Sequence, residues 1–169
     1  MTPDARSEKS ARLCEAIANS SAWQAARTVA IFAPQPREPD VEMLWSRGGG
    51  KSFAYPRVVE ARLDLFRTGS LHELAPGAFG VREPAGEIAH AVAPDTLDLI
   101  LVPGVAFTRD GARLGRGGGF YDRLLASLPA RTCKIGVCFD VQVLTELPIE
   151  PHDLHVDFIA TESGLRPAK

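Results

Sequence analysis

Residues 97–103 read Leu97-Asp98-Leu99-Ile100-Leu101-Val102-Pro103, a nearly continuous apolar run that ends at a proline. Such a run is typical of a central strand in a parallel sheet, because helices cover both faces of that strand. Other short runs of β-branched and aromatic residues occur before and after it, separated in several places by segments with helical spacing. This alternation predicts an α/β fold with a mostly parallel sheet and helices on both faces, a Rossmann-like three-layer arrangement.

Predicted helices and strands lie on both sides of this run. One or two amphipathic helices are predicted over residues 6–26, and Asp40 is placed to cap a helix over 41–45. A further helix is predicted over 121–128. The predicted strands are residues 28–33, 51–55, 62–67, 135–139 and 156–161, the second of them stopped by Pro56. The turn-rich segment 76–93 is left unassigned, and residues 1–169 are predicted to form a single domain.

The composition excludes several classes of function. The chain has 169 residues, of which 45% are hydrophobic and 24% charged, with a net charge of -2. No broad basic surface follows from that balance, so nucleic-acid binding is not expected. No apolar run reaches the length of a membrane span, and no signal peptide is recognised. We therefore expect a cytoplasmic protein without a membrane partner. A monomer is also expected.

The three cysteines do not indicate a disulfide framework or a structural zinc site. Cys14, Cys133 and Cys138 form no Cys-x-x-Cys pair and are odd in number. Cys133 and Cys138 lie in an apolar run, so they are interpreted as small buried side chains of a strand rather than reactive thiols.

The glycine-rich segment after the central run carries the predicted chemistry. Four glycines fall within residues 115–119, which allows positive φ angles and close approach of a ligand to the backbone. Successive N–H groups and the amino end of the following helix can bind an anion. Arg113 and Arg116 add donors suited to phosphate oxygens, and Asp122 is suited to magnesium. These features favour a nucleotide phosphate site.

A flexible turn is the simpler interpretation of a glycine cluster, and we accept it for residues 48–50. It fits residues 110–123 poorly, because a turn requires neither two arginines nor an adjacent Tyr-Asp pair. The segment is also not a Walker A loop, since it lacks the Gly-Lys-Ser/Thr ending, and it does not match the dinucleotide-binding fingerprint.

The ordered motifs of the chain resemble those of the 5-formyltetrahydrofolate cyclo-ligase family over about residues 28–162. The resemblance rests on Val102-Pro103-Gly104-Val105-Ala106-Phe107, Gly111, Arg113 to Asp122, Glu38, Tyr55-Pro56-Arg57, Phe79-Gly80-Val81-Arg82-Glu83-Pro84, Gly136-Val137-Cys138-Phe139-Asp140-Val141-Gln142, Leu147-Pro148 and His152-Asp153-Leu154-His155-Val156-Asp157.

The resemblance implies an ATP-dependent ring closure that converts 5-formyltetrahydrofolate to 5,10-methenyltetrahydrofolate with release of ADP and phosphate. A formamide oxygen is a poor leaving group, so the family first transfers the γ-phosphoryl group onto it. Attack by N10 of the folate then expels phosphate. The protein would mainly align the reactants and neutralise developing charge.

The resemblance also implies roles for individual residues. The pterin would bind beside Glu38, in a pocket lined by Ala33, Tyr121 and Tyr55. Asp122 and Asp157 would bind Mg²⁺. ATP would be held by residues 113–121, namely Arg113, Leu114, Gly115, Arg116, Gly117, Gly118, Gly119, Phe120 and Tyr121.

Two departures from the family pattern bear on activity. No clear equivalent of the family's N-terminal Lys-x-x-x-Arg helix is found, and neither Arg6 nor Lys9 is assigned to that role. Phe120 stands where a tyrosine is more usual. A non-catalytic folate or nucleotide binder and a phosphotransferase acting on another small substrate therefore remain open as alternatives. His152 and His155 are interpreted as structural rather than as metal ligands.

Overall fold

The computed structural model describes residues 1–85, 90–148 and 154–168. The α-helices are α1 (Pro3–Ala18), α2 (Ser21–Ala25) and α3 (Phe120–Ser127). Short 3-10 helices cover Val41–Arg47, Leu71–Glu73, Ala78–Gly80, Pro94–Thr96 and Asp140–Gln142. The strands are β1 (Thr28–Ala30), β2 (Ser52–Val59), β3 (Arg62–Thr68), β4 (Leu74–Pro76), β5 (Arg82–Pro84), β6 (His90–Ala91), β7 (Leu99–Pro103), β8 (Ala106–Thr108), β9 (Arg113–Leu114), β10 (Cys133–Val137), β11 (Val143–Leu144), β12 (Phe158–Thr161) and β13 (Gly164–Pro167).

A large mixed sheet forms the centre of the fold. Its strand order is β13-β12-β10-β7-β1-β2-β3-β6. The five strands from β12 to β2 are parallel, whereas β13, β3 and β6 pair antiparallel at the two edges. Two smaller sheets have the orders β11-β8-β9 and β4-β5. The predicted α/β architecture with a mostly parallel sheet is confirmed.

Strand β7 contributes to the core on both faces of the sheet, as its apolar sequence predicts. Leu99 and Leu101 pack in one cluster with residues of α1, α2 and the 41–47 helix. Ile100 and Val102 pack in a second cluster with Leu124 and Leu125 of α3, and further residues. Because successive side chains of a strand point to opposite faces, one short run supports both helical layers.

Asp98 connects the starts of two central strands. Its Oδ2 accepts hydrogen bonds from the backbone N–H groups of Arg27 (2.8 Å) and Thr28 (2.9 Å). These bonds lower the pKa of the Asp98 carboxyl below its ordinary value, the bond from Thr28 contributing most. The carboxylate thus fixes the start of β1 beside β7.

The prediction that Pro56 stops the second strand is wrong, because β2 continues to Val59. The carbonyl of Ala54 accepts from Ile31 N on the β1 side, so the position of the missing N–H of Pro56 also faces that side. Strand β1 pairs with β2 only as far as Ala54. The proline therefore removes no ladder hydrogen bond, and antiparallel pairing with β3 continues past it.

The turn-rich segment that the sequence left unassigned contains the β4–β5 hairpin and, after residues outside the described part, β6. The tip of this hairpin is the 3-10 turn at Ala78–Gly80, where Phe79 has a φ of 55°. Within the described residues, no helix is both long and apolar enough to cross a membrane.

The strand order also determines where a ligand can bind. Strands β1 and β7 are neighbours at the centre of the sheet. The next strand of the sheet after β1 in the chain, β2, lies on the far side of β1, whereas the next one after β7, β10, lies on the far side of β7. The loops that leave β1 and β7 therefore diverge. Parallel sheets characteristically bind ligands in the crevice at the carboxyl ends of two such strands.

Candidate active site

A pocket of about 420 Å³ lies at this divergence of β1 and β7. Its walls come from the segment after β1, the β2–β3 hairpin, the β4–β5 hairpin, the end of β7 and the glycine-rich loop. They comprise Phe32, Ala33, Gln35, Glu38, Pro56, Val58, Leu63, Ala78, Phe79, Val81, Glu83, Pro103, Gly104, Arg113, Gly115, Arg116, Gly118, Gly119, Phe120, Tyr121 and Asp122.

The glycine-rich loop has the backbone conformation that its sequence predicts. Gly117 and Gly119 have φ angles of 87° and 63°, in the region that favours glycine. Gly119 is the N-cap of α3 and supplies no capping side chain, so the first N–H groups of the helix remain available. Gly115, Gly118, Gly119 and the start of α3 line the pocket, and free backbone N–H groups at such a position suit an anion.

Arg113 is a buried cation beside this loop. Its side chain is 4% exposed, and Nη2 donates to Oδ1 of Asp122 over 2.6 Å. Nη1 donates to the carbonyl oxygen of Pro103 over 3.2 Å. Among the described residues, Nε of Arg113 is one of two buried side-chain polar atoms without a hydrogen-bond partner. A buried donor without a partner is costly, so this atom is suited to an incoming acceptor.

Glu38 lines the same pocket from the segment that follows β1. Oε2 accepts from the backbone N–H of Gln35 (2.9 Å), and Oε1 accepts from Nη2 of Arg116 (3.0 Å). The Glu38 side chain is 13% exposed, whereas that of Arg116 is 59% exposed. The structure therefore brings together the predicted pterin-binding carboxylate and the predicted phosphate-binding loop.

Tyr121 lies between these two groups. The pKa of its hydroxyl is raised above the ordinary value, chiefly by burial and further by the negative charge of Glu38, while Arg113 opposes the shift. The guanidinium of Arg113 lies 5.7 Å from the centre of the tyrosine ring. The hydroxyl therefore stays protonated at neutral pH and can donate a hydrogen bond to a ligand oxygen.

The tip of the β4–β5 hairpin extends the pocket in a way that the sequence did not predict. Phe79 is 74% exposed, has a left-handed backbone conformation, and its ring centre lies 5.7 Å from that of Phe120. Glu83 accepts from the backbone N–H of Val58 over 3.2 Å, which holds the hairpin against β2. The available signal was the Phe79-to-Pro84 motif, which supported the resemblance but was given no role in the site.

Most predicted site residues lie together at this pocket. Ala33, Glu38 and Tyr121 line it, as do Asp122 and the predicted ATP-binding residues Arg113, Gly115, Arg116, Gly118, Gly119 and Phe120. Leu114 and Gly117 belong to the same segment but do not line the pocket; Leu114 accepts from the backbone N–H of Val105.

Tyr55 does not belong to the site, which corrects its prediction as a substrate-binding residue. It is fully buried in the core cluster beneath α1 and the 41–47 helix. Its hydroxyl accepts from Trp45 Nε1 over 2.9 Å and donates to Glu42 over 3.4 Å. Pro56 and Val58 line the pocket, and Tyr55 points to the other face because side chains alternate along a strand.

The structure does not bring Asp157 and Asp122 together, so it does not support the prediction that both bind magnesium, directly or through water. Oδ2 of Asp157 accepts from the backbone N–H of Lys134, which is level with Ile100 near the start of β7. The site lies beyond Pro103, about 10 Å further along the strand direction. Asp157 precedes β12 and therefore lies at the amino edge of the parallel strands. No cluster of three or more potential metal-binding side chains occurs in the described ranges.

The cysteines and His155 take no part in the pocket. Burial raises the pKa of the Cys14 and Cys138 thiols to about 12 and that of Cys133 to about 11, so all three are protonated at neutral pH. His155 is exposed, with Nδ1 2.9 Å from the carbonyl oxygen of Asp110, in agreement with a structural role. His152 lies outside the described residues.

Comparison with known proteins gives a consistent result. The sequence model of the 5-formyltetrahydrofolate cyclo-ligase family matches residues 1–162. The match thus includes α1, which the motifs found in the sequence did not reach. A 5-formyltetrahydrofolate cyclo-ligase of Mycolicibacterium smegmatis is 36% identical over 145 residues, covering 80% of this chain and 73% of the relative. The Escherichia coli K12 enzyme of that name is 30% identical over 176 residues, which cover 96% of this chain and 93% of that enzyme.

Solved structures agree with these sequence matches. The NMR structure of Aquifex aeolicus 5,10-methenyltetrahydrofolate synthetase has a TM-score of 0.87 at 32% identity and covers 100% of this chain and 86% of that one. The synthetase of Mycoplasma pneumoniae has a TM-score of 0.74 at 22% identity, covering 96% and 90%, which supports the fold.

Proposed function

The chain belongs to the 5-formyltetrahydrofolate cyclo-ligase family, and from that premise we propose that the pocket between Glu38 and Arg113 holds 5-formyltetrahydrofolate against Mg·ATP for ring closure. The chain is thus an enzyme of the ligase class. The observation that carries the site assignment is that a carboxylate and a buried guanidinium, from different segments of the chain, line one pocket at the sheet's divergence point.

On the folate side, Glu38 binds the amino-pyrimidinone edge of the pterin. That edge presents adjacent N–H donors, and a carboxylate can accept two hydrogen bonds in parallel. Oε2 accepts from the backbone N–H of Gln35, while Oε1 accepts from the exposed guanidinium of Arg116. Ala33 and the apolar side chains of Pro56 and Val58 provide the walls against which a flat ring packs.

On the nucleotide side, backbone N–H groups of residues 115–121 and the amino end of α3 bind the phosphates. Arg113 lies below this loop, where an added side chain at Gly115 would approach its Nη1 within 3.0 Å. Glycine at that position lets the ligand approach the buried charge. Donors held in place before the reaction stabilise charge without reorganising, which is how phosphoryl transfer is promoted.

In the reaction, the formyl oxygen takes the γ-phosphoryl group and ADP is released. N10 then attacks the activated carbon and loses its proton to solvent, and the carbon–oxygen bond breaks as phosphate leaves. Arg113 neutralises charge on the transferring group, and the protonated Tyr121 donates a hydrogen bond where the two ligands meet. The apolar pocket walls limit the access of water, which would otherwise hydrolyse the phosphorylated intermediate.

Asp122 is the residue that would hold Mg²⁺. One carboxylate with phosphate oxygens and water is a common arrangement for this ion in nucleotide enzymes. Asp122 fits it, since it lines the pocket, is 31% exposed and engages Arg113 through Oδ1. When bound, the ion would supply charge neutralisation at the phosphates.

We further propose that the enzyme acts as a monomer in the cytoplasm, without nucleic-acid or membrane partners. The three free cysteines, of which Cys14 and Cys138 are buried, are compatible with a reducing compartment.

The test is a spectroscopic assay of the purified chain with 5-formyltetrahydrofolate, ATP and Mg²⁺. We expect an ATP-dependent rise in the methenyl absorbance with one ADP formed per product. Glu38→Gln should raise the KM for the folate, whereas Arg109→Met, which changes an exposed residue outside the pocket lining, should leave it unchanged. Ligand binding without turnover would instead indicate a non-catalytic binder, and ADP formation coupled to another acceptor would indicate a different phosphotransferase.

A further inference from the structure

One face of α1 contacts the loop that carries Glu38. Arg6, Ser10 and Cys14 are spaced by four residues, so they lie above one another on the same side of the helix. Each of the three contacts the backbone of the segment from Gln35 to Asp40. The helix therefore follows this loop along its length.

The contact made by Arg6 lies closest to the carboxylate. Its Nε donates to the carbonyl oxygen of Glu38 over 2.7 Å, and its Nη2 donates to that of Gln35 over 3.5 Å. Ser10 Oγ accepts from the backbone N–H of Asp40 over 2.9 Å. Cys14 Sγ lies 3.4 Å from the carbonyl oxygen of Asp40.

The loop needs such external contacts, because its own sequence provides few backbone donors. Pro34, Pro36 and Pro39 have no N–H group. The turn from Gln35 to Glu38 is closed by one bond between Glu38 N and the carbonyl oxygen of Gln35, at 2.9 Å. Arg6 binds the carbonyl groups at both ends of this turn, and the Glu38 carboxylate folds back onto Gln35 N within it. The orientation of the carboxylate is thus coupled to Arg6.

We propose that Arg6 is a positioning residue for the ring-closure reaction, fixing the Gln35–Glu38 turn so that the carboxylate faces the folate. This inference rests on the proposed role of Glu38. Arg6 acts through the loop backbone and contacts no reacting atom. Loss of the Arg6 side chain should raise the KM for 5-formyltetrahydrofolate and leave the KM for ATP unchanged.

Lys9 provides a matched control, because it anchors the same helix elsewhere. Lys9 Nζ lies 2.5 Å from Oε1 of Glu162, which follows β12. Removing Lys9 therefore removes a basic anchor of α1 without touching the Glu38 loop. A purely structural contribution of Arg6 would make the Arg6 and Lys9 variants behave alike.

The experiment measures KM for 5-formyltetrahydrofolate, KM for ATP, kcat and thermal unfolding for Arg6→Met, Arg6→Lys, Lys9→Met, Glu38→Gln and the Arg6→Met/Glu38→Gln double variant. For Arg6→Met we expect the folate KM to rise about fivefold, the effect of one or two hydrogen bonds, with the ATP KM unchanged. Arg6→Lys should recover part of the loss, and it serves as the test if Arg6→Met does not fold. In the Glu38→Gln background, Arg6→Met should change the folate KM by less than about twofold.

The outcomes separate the two proposals. If Glu38→Gln leaves the folate KM unchanged, the assigned role of Glu38 fails, and the role of Arg6 fails with it. If Glu38→Gln raises that KM while Arg6→Met does not, only the role of Arg6 is wrong. Equal changes in the ATP and folate KM values, or the same result for Lys9→Met, would also reject Arg6 as a positioning residue.

Discussion

Arg116 reaches across the mouth of the pocket to Glu38, with 3.0 Å between Nη2 and Oε1. The pair joins the proposed nucleotide wall to the proposed folate wall. When both ligands bind, this ion pair would break. Glu38 would then bind the pterin, and Arg116 would bind a phosphate.

This exchange predicts positive coupling between the two ligands. Folate binding at Glu38 releases Arg116, so a non-hydrolysable ATP analogue should bind more tightly in its presence. An exposed ion pair contributes about 0.2–1 kcal/mol, which corresponds to about a 1.5- to 5-fold change in Kd. Titration calorimetry with and without 5-formyltetrahydrofolate measures the ratio. In Arg116→Met the ratio should approach one, and in Arg109→Met it should be retained. If Arg116→Met shows the same ratio of Kd values as the unmodified protein, the ion pair between Arg116 and Glu38 does not couple the two ligands.

Asp122 is predicted to have two separable roles. Asp122→Asn keeps an acceptor oxygen for Arg113 but removes the charge, so kcat should fall by about 100-fold or more with little loss of stability. Asp122→Ala also leaves the guanidinium of Arg113, 4% exposed, without this partner. It should therefore cost an additional ~1–3 kcal/mol, or about 3–8 °C in Tm. Calorimetry of both variants checks this, and equal Tm values would show that the pair adds nothing to stability.

The place of the glycine-rich segment in the pocket could be predicted from sequence because its signal is local: the loop needs glycine at positions of positive φ. Glu38 has no such local signal, and its role was predicted only from the resemblance to the family. Asp157 illustrates a different limit. A residue that precedes a parallel strand lies at the opposite edge from one that follows a strand, so Asp157 and Asp122 are separated by the direction of the sheet. Strand direction follows from the pairing of distant segments, which no local pattern reveals.

Tyr55 and Phe79 show why one buried residue was wrongly assigned to the site and one pocket residue was missed. The β2 sequence is apolar on both faces, so it does not indicate which face its odd-numbered side chains occupy. Phe79 reaches the pocket because the β4–β5 hairpin packs on β2 through Glu83 and on the 41–47 helix through Arg82, which pairs with Glu42 over 2.6 Å. Those contacts join segments about 25–40 residues apart, and their geometry depends on the whole fold.

A pair of glycines tests whether the loop binds phosphate. Gly117 and Gly50 have φ angles of 87° and 83°, and an added Cβ would meet no atom within 4 Å at either position. Gly117→Ala and Gly50→Ala should therefore carry similar strain, about 1 kcal/mol each. Gly117 does not itself line the pocket, but backbone strain there would displace the adjacent Gly118 and Gly119, which do. Gly117→Ala should therefore also raise the Kd of Mg·ATP about tenfold, as expected for one lost charge-assisted contact from that backbone. If Gly117→Ala and Gly50→Ala bind Mg·ATP equally well, the glycine-rich loop is a flexible turn without a role in phosphate binding.

The carboxylate of Asp98 should make the stability of the fold depend on pH. Its pKa is lowered in the folded state by the N–H groups of Thr28 and Arg27, so its contribution is present above the ordinary value of 3.8 and is lost as the pH falls through the folded value. Asp98→Asn should be on the order of 1 kcal/mol less stable at pH 7, and the difference should shrink toward pH 3. Urea unfolding at several pH values measures it, with Asp95→Asn, at an exposed position, as the charge control. A deficit that stays constant with pH would mean that the negative charge of Asp98 does not strengthen these bonds, and that the two strand starts are held by neutral hydrogen bonding alone.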